Sequence, residues 1–377
     1  MTETTNLSSR VINTEKTDYN VASLFMGQPL GLMDSINVHY RELYDIYKEM
    51  KSKDWDELEF RFATSTLNAE FKQDERNSRD IMMYTLTWQW EGDTAAARSI
   101  VPIIAPFVTN NELFYGWQRI ADNEVVHALT YSEIVKYSFD DAEEALKEVL
   151  ELKQAVSRVS IVAEIFDRAF ITGSKLNLGL IQKDQDAYDD IFMFIVALYC
   201  LEGIQFMSSF GITFTYGNRN KYLPAVLAVQ KIALDEHKIH KRWDRAVLDI
   251  ELATEHGLMA FSRNRNRILQ LIGDIVRSEM EWNKFTFSEG RSLPGVSEET
   301  MNKVVLHYAK EVYDFFRFSP KEIEFEFPTR HPLPFMQDWL EIGKTQTSPQ
   351  EQKNGNYILG MIEADVAADE VIDFNLG

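Results

Sequence analysis

Acids and imidazoles recur in this sequence at helical spacing. In DNEVVHALTY, Asp122 to Tyr131, the residues Glu124, His127 and Tyr131 follow one another at intervals of three and four. In IALDEHKIH, Glu236 and His240 stand four apart. Residues three or four apart share a helix face, so each stretch presents a carboxylate beside an imidazole. Two more acids stand by themselves, Asp93 in WQWEGDTAAARS and Glu202 in LEGIQFMSSF. Glu202 is the sole charge between Asp190 and Arg219. A buried carboxylate without a partner either costs several kcal/mol or takes up a proton. It calls for a positive neighbour, and a metal ion is a good one.

Two helices that each give a carboxylate and a histidine, with two more that each give a carboxylate, can build a carboxylate-bridged dimetal site inside a bundle. The candidate ligands are Asp93, Glu124, His127, Glu202, Glu236 and His240. Four carboxylates balance two divalent cations, and neutral imidazoles complete the shell. Oxygen with imidazole suits iron or manganese. Taken singly, each acid–histidine pair reads equally well as a solvated, salt-bridging face, and Glu202 as a protonated core acid. It is their succession on four separate helices that argues for a site. The last ligand needs a choice between His237 and His240. At 3.6 residues per turn, His240 lies about 40° from Glu236 around the helix and His237 about 100°. His240 is therefore preferred, and a local π-bulge would adjust its aim.

The elements that must position these residues read as long helices. One spans Arg79 to Ile100 and ends before Pro102. Pro106 suits a first turn and opens a second helix through Tyr137. DDAEEALKEVLELKQAVSRVSIVAEIFDRAF reads as one helix of about thirty residues with acids at its N-terminus. The apolar stretch around Glu202 follows. Tyr222 to Thr254 comes next with Pro224 in its opening turn, then Arg263 to Phe287 and Ser297 to Arg317. EIEFEF before Pro328 is the best strand candidate. The reading is an all-α bundle of long helices in one domain, with the candidate ligands in its core. Residues 1–20 are expected to form a flexible arm, 21–340 the helical domain and 341–377 a flexible tail.

The apolar stretch is also long enough to span a bilayer. A helix apolar all round is equally what the centre of a large bundle needs, and Gln205, Ser208, Ser209, Thr213 and Thr215 favour that reading. No membrane association is expected. With 377 residues, 45% hydrophobic, the chain can build a sizeable core. A formal charge of −20 makes it a poor binder of nucleic acid. The single cysteine, Cys200, allows no internal disulfide and fits a reducing cytoplasm. The polar N-terminus lacks the apolar segment of a signal peptide.

The motifs DTAAARS, NEVVHALTY, LEGIQFMSSF, IALDEHKIH and EMEWNKF, with the tail SPQEQKNGNYILGMIEADVAADEVIDF, resemble the small, radical-bearing subunit of class I ribonucleotide reductase, of the ferritin-like superfamily. The resemblance runs from FMGQPLGL near Phe25 to the tail. One departure is that the family has its second histidine three residues after the glutamate, where this chain has Ile239. The resemblance implies a dinuclear iron centre, with manganese or a mixed pair as variants. That centre would use O2 to generate a tyrosyl radical, stored at Tyr131. Phe206, Phe210 and Ile232 would form a dry wall around it. The resemblance further implies that Asp235 orients a metal-bound histidine and that Trp55 lies on the radical-transfer route. Tyr357 would relay the radical to a large catalytic subunit that reduces ribonucleotides to deoxyribonucleotides. The last residues, Phe374 to Gly377, would dock the tail on that partner, and a homodimer is expected. Another ferritin-like dimetal oxidase or monooxygenase is the alternative, sharing the ligands but needing no tail relay. A non-enzymatic metal store would need a shell of many subunits.

Overall fold

The computed structural model describes residues 23–28, 32–33 and 35–341. In chain order the helices are α1 (Arg41–Ser52), α2 (Leu67–Gln73), α3 (Arg76–Ile104), α4 (Asn111–Ser138), α5 (Ala142–Glu151), α6 (Lys153–Asn177), α7 (Gln185–Cys200), α8 (Phe206–Gly217), α9 (Leu223–Asp235), α10 (Lys241–Glu251), α11 (Glu255–Thr286), α12 (Glu298–Phe315) and α13 (Phe335–Trp339). Helices α7 and α8 are joined without a break by a π turn, Leu201–Gln205, and α9 and α10 by another, Glu236–His240. Among the described residues there is no strand, only two isolated bridges, Phe25 with Val108 and Leu293 with Val296. The segment EIEFEF runs irregularly instead.

The α7–α8 rod is the axis of the bundle. Every residue from Ala187 to Gly217 is buried. It is long and apolar enough to cross a membrane, but it is wrapped by protein on all sides. Helices α6 and α11 flank α7, while α3, α9 and α12 pack on α8. Several of its polar side chains find internal partners: Ser208 donates to Asn283 Oδ1 at 2.5 Å, and Thr213 and Thr215 donate to carbonyls one turn back. Helix α3 lies along α4, and the two π turns pack against each other. The helices bearing the candidate ligands therefore meet in the middle of the molecule.

Several boundaries differ from the expected ones. Helix α3 continues through Pro102, which is only two residues from its end. There a proline forfeits a single hydrogen bond, and buried Ile103 and Ile104 secure the last turn. Pro106 sits in the turn after α3, and α4 starts later, where the Asn110 side chain accepts from the Leu113 amide at 2.8 Å. The expected thirty-residue helix is two, α5 and α6, broken at Leu152, whose ψ of 84° leaves the helical range.

Candidate metal centre

Helix α3 carries Asp93, α4 carries Glu124 and His127, the first π turn carries Glu202, and the second carries Glu236 and His240. All six are buried. They form two overlapping groups, Asp93–Glu124–His127–Glu236 and Glu124–Glu202–Glu236–His240, each with its facing atoms within 4.8 Å of one another. Glu124 and Glu236 belong to both. His127 Nδ1 lies 3.5 Å from Glu124 Oε2 and 2.8 Å from Glu236 Oε1. His240 Nδ1 lies 3.0 Å from Glu124 Oε1 and 3.4 Å from Glu236 Oε2. Each shared carboxylate thus turns one oxygen to either histidine, as a ligand bridging two cations must. His237, one residue past Glu236, points away and meets the Tyr308 ring edge-on at 5.5 Å. The wider π turn brings Glu236 and His240 to one side despite their four-residue spacing.

These groups fit a pair of metal ions. Although these atoms crowd one another, both oxygens of Asp93, Glu124 and Glu236, Oε2 of Glu202, Nδ1 of His127 and both ring nitrogens of His240 make no well-aligned hydrogen bond among the described residues. Leaving a buried polar atom unpaired costs about 1–3 kcal/mol, so this many at one point mark a place for a ligand. Burial, with the charges of Glu124 and Glu236, pushes the Asp93 carboxyl well above its usual range. Burial and Glu236 do the same to Glu202. Burial works against the charged form of His240, but the Glu236 and Glu124 carboxylates hold its imidazole up to about 10. Crowded anions that hoard protons are anions short of cations.

Tyr131, one turn beyond His127, is fully buried, and its hydroxyl has no partner among the described residues. Burial, then the charges of Asp93, Glu236 and Glu124, push its phenol well above its ordinary value. Phe206, Phe210 and Ile232 are all buried in the same core. Phe206 stacks on Phe210 at 5.7 Å and lies against Gly92, where any side chain would meet its ring at 2.9 Å. On the other side, Trp55 Nε1 donates to Asp235 Oδ2 at 2.7 Å, and the same oxygen lies 3.3 Å from His127 Nε2. The Trp55 ring stacks on His127 with centroids 5.8 Å apart. Tyr357, Phe374 to Gly377 and the arm 1–20 lie outside the described residues.

Sequence reasoning passed over two features. Asp244 is fully buried one turn after His240 and has an unpartnered Oδ2; its i+4 spacing on an acid–histidine helix was the available signal. Arg158 is buried and paired with Glu279, a contact between residues too distant in sequence for any local pattern to reveal.

Long helices around two carboxylate–imidazole groups that share two acids define a dimetal-carboxylate bundle of the ferritin-like type. Comparison with known proteins narrows this. Residues 33–320 match the family described as "Ribonucleotide reductase, small chain", and the chain belongs to that family. It is 21% identical over 381 residues to ribonucleoside-diphosphate reductase 1 subunit beta of Salmonella typhimurium, covering 96% of this chain and 98% of that one. It is 18% identical over 395 residues to the subunit beta of Enterobacteria phage T4, covering 97% and 99%. Its fold is similar to the ribonucleotide reductase R2 subunit from Clostridium botulinum, with TM-score 0.74 at 18% identity over 89% of this chain and 98% of that one. It is also similar to Streptococcus sanguinis dimanganese(II)-NrdF, with TM-score 0.66 at 13% identity over 83% and 100%. The chain is a class I ribonucleotide reductase small subunit, an oxidoreductase component of a radical-generating family that works with a large subunit. This displaces the reading as another dimetal oxidase.

Proposed function

We propose that this subunit holds a dinuclear iron centre, with manganese or a mixed pair as the variant, on Asp93, Glu124, His127, Glu202, Glu236 and His240, and stores a tyrosyl radical at Tyr131. The observation that carries the reading is the sharing of Glu124 and Glu236 between the two histidines, one oxygen to each. When bound and treated with O2, such a metal pair supplies a one-electron oxidant. The protein's part is to present a phenol that gives up its electron and proton together. Burial and the nearby acids keep Tyr131 from ionising beforehand. Its apolar surroundings keep water and reductants from the product.

Transfer outward is read along His127, Asp235 and Trp55, which are joined by hydrogen-bond contacts from the metal group toward the surface. Tyr357 is read as the next relay, on a tail, residues 341–377, that docks on the large catalytic subunit through its last residues. The helical domain, 21–340, would pair as a homodimer; exposed Val125 and Leu129 on α4 suit such a contact. The cytoplasm suits the lone, buried Cys200.

The test is aerobic loading of the metal-free protein with Fe2+ or Mn2+, followed by metal analysis and electron paramagnetic resonance. The wild type should bind two ions per chain and show a tyrosyl signal. Tyr131→Phe should bind the same two ions and lose that signal. With the cognate large subunit, the full chain should support deoxyribonucleotide formation and a chain ended at residue 340 should not. Survival of the same radical in Tyr131→Phe refutes the assignment.

A further inference from the structure

We propose that Arg158 is a positioning residue that fixes the π turn Leu201–Gln205 and, through it, Glu202; this rests on the dimetal reading above. A π turn inserts one residue into the helical ladder and interrupts its regular pairing, so a carbonyl at its edge can take a partner from a neighbouring element. Arg158 Nη2 donates to the Gln205 carbonyl at 2.9 Å, and Gln205 Nε2 donates back to the Arg158 carbonyl at 3.2 Å. This reciprocal pair ties α6 to the turn that bears Glu202.

The guanidinium is itself held from several sides. Its Nε and Nη2 donate to the two oxygens of Glu279 on α11 at 2.8 and 2.5 Å. Trp88 on α3 and Trp282 on α11 lie against it, 3.7 and 4.5 Å from its carbon to the ring centres. Arg158 is 1% exposed and Glu279 not at all. Stability alone does not account for such a pair, because well-packed apolar residues often replace buried ion pairs at no loss. Geometry does account for it. Only a planar fork of five donors reaches a carboxylate and a backbone carbonyl together. The clamp therefore acts on the group that contains Glu202 and His240, since Glu202 takes no part in the group around His127.

The experiment titrates metal-free, full-length protein with Mn2+, following bound ion by equilibrium dialysis and by electron paramagnetic resonance. Two variants are compared with the wild type. Arg158→Lys keeps a cation for Glu279 but loses the fork. Arg158→Met/Glu279→Met removes both members of the ion pair together, leaving only half-buried Glu91 beside the site as an acid whose charge Arg158 had favoured. In either variant, checked for fold by circular dichroism, one site should keep its wild-type affinity. The other should weaken by about 10- to 100-fold, the usual effect of removing a ligand's supporting contact. The signal of spin-coupled Mn2+ should give way to that of isolated ions at the same loading. A general loss of structure would weaken both sites and overturn the proposal, as would two unchanged affinities in a folded variant. If the double variant does not fold, Arg158→Lys decides. A wild type that fails to bind two ions overturns the dimetal reading itself, and the proposal with it.

Discussion

At the scale of single residues, Asp235 is the hinge between the metal groups and the route outward. A carboxylate only accepts hydrogen bonds. Because Asp235 Oδ2 faces both Trp55 Nε1 and His127 Nε2, it holds a proton on His127 Nε2 and leaves Nδ1 turned to Glu236 and Glu124, where a metal ion would take the place of any proton there. Asp235→Asn can keep one oxygen toward both donors but removes the negative charge, which weakens both hydrogen bonds and loosens the imidazole. Metal affinity should fall about 10- to 100-fold, whereas Trp55→Phe, which removes only the outer donor, should leave it unchanged. Titration against a chelating dye reads both; equal affinities in Asp235→Asn and wild type would rule out the orienting role. Four of the candidate ligands were legible in the sequence because an acid and an imidazole recur at helical spacing, and Asp93 and Glu202 as lone acids on apolar or small-residue helices that complete the set. The preference for His240 over His237 followed from the angle around one helix. Trp55 and Asp235 were singled out only through a family resemblance, and neither their contact across 180 residues nor that of Arg158 with Glu279, 121 apart, was legible. Periodicity describes which face a residue occupies, not which distant side chain meets it there.

Helices set the tolerances within which those residues work. Gly116 on α4 lets α10 approach closely: a Cβ there would lie 1.9 Å from the Trp243 ring. Trp243 follows His240 by three residues, and Gly116 precedes Glu124 by eight, so this contact sets the spacing of two ligand-bearing helices. Gly116→Ala gains up to about 1 kcal/mol in helix propensity but overpacks the core, which costs about 1–3 kcal/mol. The large ring has little room to yield, since Trp243 is fully buried and meets Trp117 edge-on at 5.9 Å. Net destabilisation is expected in urea denaturation, and a variant as stable as the wild type would show that the two helices have slack. Most helices were readable from their apolar period and from caps such as Ser297, which accepts from the Thr300 amide at 3.2 Å. The exceptions had physical causes. Pro102 reads as a stop, but near a helix end it costs only one bond. The break at Leu152 interrupts no polar or apolar pattern, so nothing in the local sequence announced it.

The molecule as a whole carries a charge of −20 and keeps acids of this excess in its interior. Without cations, Asp93 and Glu202 are driven toward protonation by burial and by neighbouring carboxylates. The fold therefore bears a local electrostatic cost that metal binding removes. An unfolded chain does not hold the ligands of four helices together, so divalent ions bind the native state alone and stabilise it by mass action. Each site contributes about 2.7 kcal/mol when free metal is 100 times its dissociation constant. For a chain of this size two such sites should raise the melting temperature by about 5–10 °C, and the rise should continue with the logarithm of metal concentration. Scanning calorimetry over a series of Mn2+ concentrations, with Mg2+ as the weakly bound control, reads this directly. Glu124→Gln/Glu236→Gln removes the two shared carboxylate charges with little change of volume, and its melting temperature should be indifferent to Mn2+. If that variant and the wild type responded alike, the ions would be binding elsewhere on the acidic surface, and the central cluster would not be where this protein keeps its metal.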